Sequence, residues 1–195
     1  KNEYVKALRE YYFVGGMPES VMKFIETNDA IKVREVQNNI LYTYQKDISK
    51  HVPTSESNRI NMVWQSMPSQ LVKENKKFIY GVTKPGGRAK DFEIAIQWLM
   101  DAGLVYKAER VNEAKMPLKF YVDISGFKLF LLDCGLLGAM SETPPEKLLV
   151  AENGMEESKG AFTENYVMSQ LVATRDTSVF YYSNDAKLEI DFLIQ

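Results

Sequence analysis

Apolar residues recur at helical spacing over residues 2–14, where Tyr4, Val5, Leu8, Tyr11 and Tyr12 share a face, and the pattern predicts a helix. Gly15-Gly16 interrupts it. Pro18, whose missing N–H costs nothing in a first turn, opens a second helix carrying Val21, Met22, Phe24 and Ile25. The chain therefore begins as a helical hairpin. Its glycine pair is either the turn of that hairpin or a set of backbone amides offered to a phosphate, although the Gly-x-x-x-x-Gly-Lys spacing of a phosphate loop is missing. Asn28 or Asp29 caps a third helix through about Ser49, with Ile31, Val33, Val36, Ile40, Leu41, Tyr44 and Ile48 as its apolar positions. His51, the only histidine, follows in a Ser/Thr-rich turn and is expected in an exposed loop, since one imidazole makes no metal site.

From Asn58 the pattern becomes a helix with Ile60, Val63, Trp64, Met67 and Leu71, then a short Phe78-Ile79-Tyr80 segment and a Lys84-Pro85-Gly86-Gly87-Arg88 turn. A further helix over Ala89 to Asp101 ends at Gly103 and passes into a strand from Leu104 to Val111. Leu118 to Val122 is its expected hairpin partner, with a polar tip between them. Helices followed by a two-stranded ribbon describe a winged helix-turn-helix. Lys128 to Leu137 predicts a buried segment in which Cys134 is a small core residue and Asp133 caps a turn before Gly135. Ser141 to Lys147, with Pro144-Pro145, reads as a linker, and the acidic Glu152 to Glu157 stretch as solvated.

The last forty residues carry the candidate chemistry. A helix opened by Gly160 places Phe162, Tyr166, Val167, Gln170 and Leu171 on its apolar line and Glu164 off it. An aromatic strand, Val179 to Tyr182, a turn at Asn184-Asp185, and a strand from Leu188 to Ile194 follow. Alternation sends Glu189 and Asp191 to one side of that strand. A helix carboxylate and a strand carboxylate can share a hard cation, which prefers oxygen ligands. Glu164 and Asp191 are accordingly candidate metal ligands and candidate catalytic residues of the parent, and the strand that would bring further ligands and a basic group is expected to lie beyond Gln195. Within this chain the two acids are expected to be solvated and to hold no metal.

The 195 residues are 45% hydrophobic, enough for a core in one domain or two. A net charge of −2 excludes a whole-molecule field for nucleic acid or anionic membrane. The local balance differs: Lys73, Lys76, Lys77, Lys84, Arg88 and Lys90, against Glu74 alone, make a +5 stretch that is the candidate nucleic-acid-binding patch. The solvent face expected for the Ala89 to Asp101 helix opposes this, since Lys90, Glu93, Gln97 and Asp101 are net acidic. One cysteine excludes a disulfide framework and a cysteine-rich zinc site and suits a cytoplasmic setting. No stretch is long and apolar enough for a membrane span, so no membrane partner is expected. The chain starts within a helix pattern and stops within a strand pattern, and both ends read as boundaries inside a longer protein.

The order helix-glutamate, aromatic strand, turn and Glu-Ile-Asp-Phe resembles the opening of a PD-(D/E)XK, restriction-endonuclease-like core. Nearly the whole chain is similar to the region that follows the P-loop core in a family of prokaryotic AAA-type ATPases. The markers are Gly15-Gly16-Met17-Pro18-Glu19, Asp47-Ile48, Asp101-Ala102-Gly103-Leu104-Val105, Gly160-Ala161-Phe162-Thr163-Glu164-Asn165 and Glu189-Ile190-Asp191-Phe192. The resemblance implies a mostly helical α+β chain: a lid-like helical segment (1–50), a winged-helix domain (51–140), a linker (141–154) and a truncated nuclease-like α/β segment (155–195). It further implies an upstream P-loop ATPase domain on the same polypeptide, with ATP and Mg²⁺ as cofactors of that parent and none in this chain. The function expected is a non-catalytic accessory region coupling the ATPase to DNA or to a protein partner. The alternatives are part of a Mg²⁺-dependent nuclease, with Glu164 and Asp191 as its acidic positions, or a winged-helix DNA-binding module.

Overall fold

Gly15 adopts φ +73°, a left-handed backbone that glycine enters without steric cost, and so turns the chain between α1 (Asn2–Val14) and α2 (Pro18–Thr27). A Cβ on Gly15 would lie 2.2 Å from Asp133 Oδ1, because the amide of Gly16 donates to Asp133 Oδ2 at 2.6 Å. Of the two readings of the glycine pair, the structure shows the turn, and the anion its amide receives is a carboxylate of this chain. Asp133 also caps α7 (Cys134–Met140), accepting from the Leu136 amide at 2.9 Å. Burial pushes the Asp133 carboxyl above the usual range, against the stabilising pull of the Gly16, Leu136 and Gly135 amides.

This computed structural model describes residues 2–72, 77–150, 156–174, 178–184 and 188–195. Lys73, Lys76, Asp185 and the first part of the acidic stretch lie outside the described residues. Asn28 closes α2 in the left-handed region, and Asp29 caps α3 (Ala30–His51) by accepting from the Ile31 and Lys32 amides. Val33, Val36 and Ile48 are buried as expected, but Ile31 of α3 and Met22 and Ile25 of α2 are exposed. The apolar stripes of these two helices are wider than the surface they bury. The backbone of His51 closes α3 instead of lying in a loop.

Next come α4 (Thr54–Leu71), α5 (Tyr80–Thr83) and α6 (Ala89–Asp101), then β1 (Val105–Val111) and β2 (Val122–Leu131). Ile60, Val63, Trp64, Met67 and Leu71 of α4 are all buried, and Gly103, at φ +69°, turns α6 towards β1. Three helices and a ribbon follow the order expected of a winged helix-turn-helix. The wing itself departs from expectation. Leu118–Tyr121 is a 3-10 turn at the tip, and the partner strand is the longer β2. Residues 128–131, which read as part of a separate buried segment, belong to that strand. The register slips between Glu109↔Phe127 and Arg110↔Asp123, so β2 bulges there, and a Cβ on Gly126 would come within 2.9 Å of Arg110 Cδ.

A short α8 (Pro145–Leu149) occupies part of the expected linker and seats Leu148 in the core. The chain continues through α9 (Glu156–Thr174), β3 (Val179–Ser183) and β4 (Glu189–Leu193). β3 joins β1 in parallel and β4 runs antiparallel to β3, giving one sheet in the order β2-β1-β3-β4. The last two strands thus extend the sheet of the wing. A single hydrophobic cluster includes Phe13, Trp64, Leu99, Leu129, Phe162 and Tyr181, residues from every part of the chain. The fold is α+β and mostly helical, as expected. Among the described residues no helix is long and apolar enough to cross a membrane.

Candidate functional site

Lys128 of β2 has no solvent-exposed side-chain surface, although it sits among Phe127, Leu129, Phe130 and Leu131 in a strand whose inner end is buried. An isolated buried ammonium is costly, so it requires partners. The fold supplies three. Lys128 Nζ lies 2.6 Å from Glu189 Oε1, 3.3 Å from Asp191 Oδ1 and 3.5 Å from Glu164 Oε2. It also stands over the Tyr181 ring, 4.9 Å from the centroid.

Two devices bring these groups together. Asn165 of α9 accepts from the Leu131 amide at 2.7 Å and donates to the Leu131 carbonyl at 3.0 Å, which fixes α9 against the end of β2 and sets Glu164 beside Lys128. In β4 the two-residue repeat places Glu189 and Asp191 on one side. Their side chains meet Lys128 across the intervening β1 and β3, and the Phe130 and Phe192 rings pack together with centroids 5.6 Å apart, tying β4 to β2. Burial by itself lowers the affinity of Lys128 for its proton. The charges of Glu164, Glu189 and Asp191 outweigh that and hold its pKa above the ordinary lysine value.

The cluster corrects the expectation of a solvated Glu164, while Asp191 stays solvated as expected. The Glu164 side chain is 12% exposed, Glu189 30% and Asp191 52%, so the acids form a gradient from the interior to the surface around one cation. It also supplies from β2 the basic group that the sequence was expected to lack. The arrangement does not fit a Mg²⁺ ion as it stands: the ammonium occupies the place where the three carboxylates converge. Among the described residues no group of three acids, histidines or cysteines is arranged to hold a metal.

Sequence reasoning missed Lys128, Tyr181 and Asn165, and treated Glu189 only as a neighbour of Asp191. One signal was present: Lys128 is a lone charge inside an apolar run, which burial makes either costly or paired. Tyr181 is buried and its hydroxyl has no hydrogen-bond partner among the described residues. Burial raises its pKa, opposed by the charges of Lys128 and Arg110.

The expected nucleic-acid patch is only partly assembled. Lys84, Arg88 and Lys90 are exposed around the start of α6, and Lys77 is half-buried and engaged. Arg59 lines a neighbouring cavity of about 270 Å³ with Lys84, Gly86 and Gly87, a basic side chain that the sequence reading did not include. Along α6, Lys90, Glu93, Gln97 and Asp101 are exposed as expected, with Gln97 donating to Asp101 at 2.7 Å. Between them stands Ile94, 67% exposed, and the wing adds Phe120 at 83% and Ile124 at 95%.

Residues 5–147 match the family described as Domain of unknown function (DUF8612). The chain belongs to this family. The DUF8612 match takes in the helical hairpin, the winged-helix elements and Lys128, and it ends before α9, β3 and β4. The three carboxylates around Lys128 therefore lie beyond the DUF8612 match. No curated protein matches the chain, and no solved structure does.

Proposed function

We propose that the chain is a non-catalytic accessory region of a prokaryotic AAA-type ATPase, working in the cytoplasm and coupling the motor to a protein partner or to DNA. The observation that carries the non-catalytic part is Lys128 Nζ, within 3.5 Å of all three carboxylates. These acids bind an internal cation and lock β4 and α9 to the wing, a structural use of charge. The ordered sequence markers support the ATPase part. The exposed Ile94, Phe120 and Ile124 on the faces that a DNA-binding winged helix would turn to the duplex support a protein partner. The complete coding frame should contain a P-loop domain ahead of this region, and a frame without one would overturn the reading. Titration of duplex DNA at low and moderate salt separates the two partners: no binding at either salt is the result expected of a protein partner. Salt-dependent binding that weakens in a Lys84→Gln/Arg88→Gln variant would make DNA the partner, or the region a DNA-binding module.

A second reading draws on the same cluster: a lysine beside Glu164 and Asp191 is the side-chain set of a PD-(D/E)XK-like nuclease. Cleavage of DNA with Mg²⁺ or Mn²⁺ that disappears in Asp191→Ala would establish it. No cleavage with either metal supports the structural role.

A further inference from the structure

We propose that the cavity beside Arg34 is a binding site for a small oxyanion, a carboxylate or phosphate group carried by a soluble ligand. It is separate from the Lys128 cluster and does not rest on the accessory reading. Arg34 lies in the second turn of α3 and lines an open cavity of about 550 Å³. Asn38, one turn further along α3, adds an exposed amide to the same wall. Met140, at the end of α7, and Pro144 and Pro145, at the start of α8, give the opposite side an apolar lining.

The guanidinium is held in place but its charge is not answered. Nη2 donates to the Thr143 carbonyl at 3.0 Å, and the guanidinium carbon stands 5.2 Å from the centroid of the Phe13 ring. Nη1 is buried and has no hydrogen-bond partner among the described residues. It lies over Gly138, where an added Cβ would sit 3.5 Å away. No carboxylate among the described residues pairs with Arg34, and burial, with no charged neighbour contributing, pushes its pKa down to about 10. Glu142, the acid on the cavity lining, is exposed and held on a turn with φ +52°. A structural clamp on Thr143 requires one neutral donor. A guanidinium placed there brings a full charge and unused donors, and a partly buried charge without a counter-ion is costly.

Such a group is suited to oxyanions: it is planar, permanently charged at neutral pH and able to donate two parallel hydrogen bonds. The apolar side formed by Met140, Pro144 and Pro145 can seat the carbon portion of the ligand. Phosphate and carboxylate share this chemistry, so the probes must separate them.

The test titrates inorganic phosphate and, separately, acetate into the isotope-labelled chain at fixed ionic strength, with chloride as the control. Nitrogen–proton correlation spectra that include the arginine side-chain region follow Arg34, Asn38 and Thr143. One or both oxyanions should produce saturable shifts confined to these residues, with dissociation constants in the millimolar range, and whichever anion saturates identifies the group. In Arg34→Gln, which retains a donor for the Thr143 carbonyl, binding should weaken by about tenfold or more. Arg34→Lys, which keeps the charge without the fork, should retain part of it. Absence of saturable shifts with both oxyanions in the wild-type chain overturns the proposal. So do shifts reproduced by chloride, or shifts unchanged in Arg34→Gln. The wild-type titration decides the matter even if a variant does not fold.

Discussion

Lys128 and Arg34 are both withdrawn from water, and they are treated in opposite ways. Lys128 is fully enclosed and meets three carboxylates within 3.5 Å. Arg34 is half-buried and meets a carbonyl and an aromatic ring, with no carboxylate partner. Their proton affinities move accordingly: Lys128 is held above its ordinary value and Arg34 falls to about 10. The contrast teaches that burial alone does not say what a charge is for. A buried cation whose charge is answered from within is part of the architecture, whereas one left unanswered marks a place where something from outside fits.

The comparison breaks most readily at Lys128. Replacing it with Met leaves three acids facing one another without their cation, and unfolding by urea at neutral pH should show a loss of about 3–5 kcal/mol. A loss below about 1 kcal/mol would mean that the acids are independently solvated. The pH dependence has a definite sign. Because the folded-state pKa of Lys128 is raised, the stability it contributes is fully present below the unfolded lysine value and lost as pH rises through the folded one. The advantage of wild type over Lys128→Met should therefore persist through neutrality and shrink in the alkaline range.

The three acids should then sort by exposure. Glu189→Gln, at the shortest contact and 30% exposed, should cost about 1.5–3 kcal/mol, while Asp191→Asn, 52% exposed, should cost less than about 1 kcal/mol after solvent screening. Equal losses at both positions would argue against a gradient from interior to surface. The smallest effect belongs to the other cation. Arg34→Met keeps the packing on Phe13 and gives up one hydrogen bond, so its stability should fall within about 1 kcal/mol of wild type. A loss as large as that of Lys128→Met would assign Arg34 a purely architectural role.

Much of the fold was legible because it depends on local periodicity. The helices at Asn2–Val14, Pro18–Thr27 and Ala89–Asp101, the Asp29 and Asp133 caps and the strand positions of Glu189 and Asp191 follow from spacing and capping chemistry. The 3-10 turn at Leu118–Tyr121 and the bulge opposite Arg110 did not follow, since both arise from closing a long ribbon and not from residue preference. The site divides in the same way. Glu164 and Asp191 were visible as acids on the right elements, but Lys128 was not, because the parallel pairing of β3 to β1 that brings it to them joins residues far apart in sequence. The exposure of Ile31, Met22 and Ile25 was likewise hidden, as a hydrophobic stripe does not state how much of itself a neighbour will cover.

The corner at Gly15-Gly16 carries a consequence in time. Its amide finds its acceptor only at Asp133, a separation of 117 positions along the chain. At a synthesis rate of ~5–20 residues per second, Asp133 emerges roughly 6–23 s after that corner. During this interval the first two helices can form, since their own hydrogen bonds are local, and Gln37, which donates to the Phe13 and Val14 carbonyls, can hold the end of α1 while the Gly16 amide still waits for its acceptor. The hairpin that is made first is thus finished late, when the α7 cap closes on it, and a chaperone footprint on a nascent chain of intermediate length should fall on α1 and α2 and disappear once residue 133 has left the ribosome.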